Sequence, residues 1–86
     1  MNGSATQIAS AQFDADLNRL PSNLRELVQA KLDTIGLRLR SYSHFRMAGS
    51  NQYRLRVGDY RVIYRFDIEE NELYLLAIGH RREIYR

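Results

Sequence analysis

The stretch YRLRVGDYRVIYR, residues 53–65, constrains the fold of this chain more than any other. Two runs that alternate apolar and polar residues flank Gly58-Asp59, which is the spacing of a β-hairpin closed by a two-residue loop. Glycine at the first central position is what a type II′ turn requires, and that turn pairs Val57 with Tyr60 and Arg56 with Arg61. Strand side chains alternate between faces. The register therefore puts Tyr53, Leu55, Val57, Tyr60, Val62, Tyr64 and Phe66 on one side, and Arg54, Arg56, Arg61, Ile63 and Arg65 on the other.

The apolar side needs a cover, and the N-terminal half supplies one. TQIA at 6–9 reads as a short strand, and Ser10 as the N-cap of a helix over 11–19 on which Phe13 and Leu17 recur at helical spacing. Pro21 interrupts that pattern. Leu24, Val28, Leu32 and Ile35 then form one stripe of a second helix, with Asn23 and Glu26 as a capping pair and Gly36 as its C-terminal left-handed residue. Residues 37–52 have no clean period and read as mostly loop leading into a strand. The runs 53–57, 60–67 and 72–78 are strands, the last two joined by IEEN. If that loop keeps the register, Leu76 and Ile78 fall on the arginine side as an apolar rim. The resulting fold class is α+β: two N-terminal helices on one face of a mixed, mainly antiparallel four-stranded sheet. With 86 residues the chain is read as one domain, 1–86.

Charge is segregated along the chain. Residues 37–65 hold seven arginines against Asp59 alone, and 66–79 hold four acids and no base. Twelve of the thirteen basic residues are arginine, whose planar fork suits bidentate phosphate contacts and stacking on bases. Arg56 and Arg61, directly opposite and alike in charge, repel each other unless an anion lies between them. A polyanionic partner follows, although the same alternation also describes the solvated side of an ordinary two-sided hairpin. His44 and His80 lack metal-ligand spacing and read as surface or hydrogen-bonding residues. The chain has no cysteine, which removes disulfides, thiolate zinc sites and cysteine nucleophiles. No leader pattern opens the sequence, and the longest apolar run, LYLLAI at 73–78, is too short to span a bilayer, so the cytoplasm is the expected compartment and no membrane partner is expected.

YRLRVGDYRVIY at 53–64 followed by GHRREIY at 79–85 resembles the RelE branch of the RelE/ParE toxin superfamily. The resemblance covers the half from His44 to Arg86 closely, and the remainder by its order of a strand, two helices and the Leu20-Pro21 break. It implies a toxin of a type II toxin–antitoxin pair that cleaves messenger RNA in the A site of the 30S ribosomal subunit, without a metal or other cofactor, and that a cognate antitoxin neutralises. Carried over residue by residue, it implies that Arg61, Arg81, Tyr85 and Arg56 are catalytic and that Arg54 and Arg56 contact RNA phosphate; Arg65, on the same face of the hairpin, and His80, beside Arg81 in sequence, are further candidates for RNA phosphate contact.

Such chemistry needs positive groups. A ribose 2′-hydroxyl attacks the adjacent phosphate, charge builds on the phosphoryl oxygens, and fixed guanidiniums stabilise it. Where the best-known RelE proteins carry lysines before the turn, this sequence has arginines, and arginine does not give up its proton to act as a base. His80, Glu83, Tyr85 and the ribosome itself are the remaining proton acceptors. Two other readings share the fold: a ParE-like inhibitor of DNA gyrase, against which GHRREIY speaks, and a module that binds nucleic acid or a partner without breaking a bond.

Overall fold

The computed structural model describes residues 3–83. Along the chain it forms β1 (Thr6–Ala9), α1 (Ala11–Asn18), α2 (Ser22–Leu37), β2 (Phe45–Arg46), β3 (Tyr53–Val57), β4 (Tyr60–Asp67) and β5 (Glu72–His80). The strands make one sheet in the order β1-β5-β4-β3-β2, in which β1 runs parallel to β5 and the other pairs are antiparallel. The sheet has five strands rather than the four expected. The added one, β2, is a two-residue edge piece defined by pairing Phe45 with Arg54 and Arg46 with Tyr53, and two residues are too few to show a period in sequence.

Helix α1 begins where Ser10 is extended and its Oγ accepts the Phe13 amide at 3.0 Å. The same hydroxyl donates to the Leu76 carbonyl at 2.9 Å, so the cap also fastens the helix to β5. Helix α2 differs from its expected ends. Pro21 is the N-cap, no side chain caps the helix, and the Pro21 carbonyl accepts the amides of Leu24 and Arg25 at 3.0 Å each. Asn23 therefore lies inside the first turn and forms no capping pair with Glu26. Gly36 is helical and not left-handed, because the helix continues to Leu37. Its carbonyl accepts the Ala5 amide at 2.9 Å, which ties the start of β1 to the end of α2.

Phe13 of α1 and Val28, Leu32 and Ile35 of α2 join Val57, Val62, Tyr64, Leu73 and Leu75 of the sheet in one core. Removing a side chain as enclosed as Leu32 would cost about 2–5 kcal/mol. Beside that core, His44 crosses from the loop after α2 to β4. A carbonyl can only accept, so His44 Nε2 donates to Leu39 O at 2.7 Å, and Nδ1 accepts the Tyr64 hydroxyl, also at 2.7 Å. The imidazole stacks on Phe66 with ring centroids 4.0 Å apart.

Strand β5 runs two residues further than expected and carries a bulge. Ile63 pairs with Ala77 and Tyr64 with Leu75, leaving Leu76 as the extra residue. The bulge reverses the alternation, so Ile78 pairs with Val62 and is buried in the core. The expected apolar rim of Leu76 and Ile78 on the arginine side is therefore not formed. Among the described residues, no helix is long and apolar enough to cross a membrane.

Candidate functional site

The site is built outward from the turn. Gly58 has φ of 61°, and Asp59 is not among the positive-φ residues, which is the type II′ pattern. Val57 pairs with Tyr60 and Arg56 with Arg61. On the far side of β4, Arg61 is opposite Gly79, which carries no side chain. Beyond the end of β5, the Arg81 amide donates to the Asp59 carbonyl at 2.8 Å. That bond holds the Arg81 backbone against the hairpin turn, beside the Arg56–Arg61 pair. Three arginines from three segments thus converge at one end of the sheet.

Among the described residues, no carboxylate neutralises their charge. Among the described residues the one ion pair is Arg19–Asp16, so Arg56, Arg61, Arg65 and Arg81 have no described carboxylate within reach. Arg61 Nη1 donates a long bond, 3.4 Å, to the carbonyl of Tyr60. Like charges facing each other across a strand pair destabilise it, and an anion between them would reverse the sign.

The remaining predicted residues are distributed differently. Arg54 pairs with Ile63 one step down the same face, and its guanidinium carbon lies 4.2 Å from the centroid of the Phe45 ring. Ile63, only 6% exposed, is closed over although it is on this side. Arg65 is two steps along β4 from Arg61, roughly 13 Å by strand geometry. It pairs with Tyr74, over whose ring its guanidinium sits at 4.5 Å. The Tyr74 hydroxyl hydrogen-bonds Glu72, and this raises its pKa above the ordinary phenol value. His80 pairs with Tyr60 and meets its ring edge to face at 5.6 Å, on the helix-bearing side and away from the arginines. Its Nδ1 accepts the Arg82 amide at 3.3 Å. Tyr85 lies outside the described residues.

Sequence reasoning missed Phe45, which it left in a loop. Its pairing with Arg54 places it on the arginine side, and only that pairing reveals it. A cleft of about 390 Å³ at the end of α2, bounded by Gly36, Leu37, Arg38, Leu39 and neighbours, contains none of the predicted site residues. Among the described residues, no group of three or more His, Asp or Glu side chains is gathered closely enough to hold a metal ion.

Two helices on one face of a mixed sheet, with Arg56 and Arg61 paired on the other, define a small RelE-like α+β protein. A family model described as the ParE toxin of type II toxin–antitoxin systems, parDE, matches residues 8–85. Toxin RelG of Mycobacterium tuberculosis is 32% identical over 75 residues, covering 83% of this chain and 84% of RelG. The chain belongs to the RelE/ParE family of type II toxin–antitoxin toxins. Solved structures agree in fold. A chain of the intact E. coli RelBE toxin–antitoxin complex superposes with a TM-score of 0.77 at 18% identity, covering 90% of this chain and 96% of that one. A chain of the Mycobacterium tuberculosis RelBE2 complex superposes with a TM-score of 0.74 at 24% identity, covering 96% and 98%.

Proposed function

We propose that this toxin, acting as a single domain, is a ribosome-dependent endoribonuclease that cuts messenger RNA in the A site. The observation that supports this reading best is the convergence of Arg56, Arg61 and Arg81 at the hairpin turn without a described carboxylate to neutralise them. In the reaction the ribose 2′-oxygen bonds to the neighbouring phosphorus, the bond from phosphorus to the 5′-oxygen breaks, and a cyclic phosphate and a 5′-hydroxyl result. Arg61 and Arg81 grip the scissile phosphate as its oxygens gain charge, and Arg56 and Arg54 neutralise the adjoining backbone. Tyr85 orients the 2′-hydroxyl or stacks on a base. Arg65 contacts RNA further along the strand. His80, on the opposite side of the sheet, meets RNA only at the margin of the site. Protonation of the guanidiniums leaves the proton acceptor to Glu83, Tyr85 or the ribosome.

A cognate antitoxin is the expected protein partner, by analogy with the RelBE complexes, and the cytoplasm the expected compartment. Gyrase inhibition is kept as a second reading because the matched family model describes ParE. Induced expression followed by primer extension on an abundant transcript, with a gyrase supercoiling assay in parallel, separates the two. Arg61→Ala is expected to lower cleavage by about 10² to 10³ without unfolding the protein. Intact transcripts together with inhibited supercoiling would move this toxin to the gyrase class.

A further inference from the structure

Phe45 keeps 60% of its surface in solvent on an edge strand of two residues. An edge strand needs no aromatic side chain at such a position, and polar residues are the usual choice there. The register running from Phe45 through Arg54 to Ile63 puts the ring on the side that bears Arg56 and Arg61. Arg54 lies over it at 4.2 Å, which fixes the ring in orientation and keeps a cation against it. A cleft of about 330 Å³ opens beside it, lined by Phe45, Arg46, Met47, Ala48 and Arg54, at the low end of the roughly 300–1,000 Å³ of small-ligand sites.

We propose that Phe45 is a base-stacking platform of this toxin, receiving a nucleobase of single-stranded RNA near the phosphate held by Arg56 and Arg61. The inference rests on the ribonuclease reading of the same face. Two strand spacings and two residues separate Phe45 from Arg61, roughly 12 Å, a separation that a nucleotide or two of extended chain bridges. Phe45 and Arg54 set a ring and a cation side by side on this face, as a base and its phosphate neighbour each other along an extended strand. Aromatic rings beside arginines are the usual means of holding unpaired bases, and because every base has a π-face the contact tolerates sequence. Phe45 is thus a positioning residue: it sets where along the message the arginines close.

The test uses the full-length toxin on ribosomes programmed with a short message that carries 2-aminopurine next to a 2′-O-methyl nucleotide in the A-site codon, which cannot be cut. Wild type and Phe45→Tyr should quench the fluorophore and bind alike. Phe45→Leu keeps the apolar bulk without the π-face, and should lose the quenching and bind about tenfold more weakly, as expected for one lost stacking contact. Cleavage of translated message by Phe45→Leu should fall through KM more than through kcat.

Quenching by Phe45→Leu equal to wild type, or none by wild type, overturns the platform even if Arg61→Ala abolishes cleavage. Loss of quenching in Phe45→Leu, with a wild-type protein that leaves transcripts whole, would keep the platform and reject the nuclease. If Phe45→Leu binds RNA normally but releases the antitoxin, the ring is a protein contact and the proposal fails.

Discussion

The Asp16 carboxylate reaches from α1 to β5 and accepts the backbone amide of Ile78 at 2.8 Å. Asp16 is 8% exposed, and its other oxygen accepts Gln12 Nε2 at 2.7 Å. Together with the Ser10 hydroxyl on the Leu76 carbonyl, it satisfies backbone groups at the bulge and just after it, where Ile78 turns into the core. The bulge is held in place from the helix layer.

Asp16→Ala should therefore destabilise the protein by about 1–3 kcal/mol, since it leaves a buried amide without a partner. Urea denaturation measures this directly. An unchanged midpoint would show that the bulge keeps its own geometry.

Tyr64 is fully enclosed, and burial pushes its hydroxyl pKa well above the ordinary value of 10.0. The folded pKa is raised, so the stabilisation linked to the neutral phenol is complete below pH 10 and is lost as pH rises beyond it, where the unfolded chain ionises first. Tyr64→Phe should cost about 1 kcal/mol at neutral pH through the lost bond to His44. It should also flatten the decline in thermal midpoint above pH 10, and an alkaline slope identical to wild type would contradict the assignment.

At Gly58 an added Cβ would meet nothing within 4 Å, but φ is 61°. Gly58→Ala is expected to lose about 1–2 kcal/mol from backbone conformation alone. Because the turn sets the pairing of Arg56 with Arg61, cleavage should fall more than stability does, and activity at the wild-type level would separate the turn from the site.

Arg56→Gln should do opposite things to fold and function. Relief of the like-charge pair with Arg61 should stabilise the hairpin by about 0.2–1 kcal/mol, while cleavage weakens. Melting curves and primer extension on one preparation test both halves. A variant that is less stable, or no less active, would remove the charge conflict as a mark of function.

Local chemistry alone determined the hairpin, its glycine turn, the capped first helix and the apolar stripe of the second. Each is set by neighbours within a few residues: Gly58 fixes the register of Arg56 on Arg61, and Ser10 caps α1 at Phe13. Tertiary structure decided what depends on partners far along the chain. The Leu76 bulge answers to helix α1, the cap of α2 passed from Asn23 to Pro21, and Phe45 became a strand residue only against Arg54. His80, in the same motif as Arg81, falls on the helix-bearing side because the shifted register pairs it with the core-facing Tyr60. Periodicity carries the direction of a side chain only while the register is unbroken, and a one-residue bulge or a distant hydrogen bond is enough to reset it.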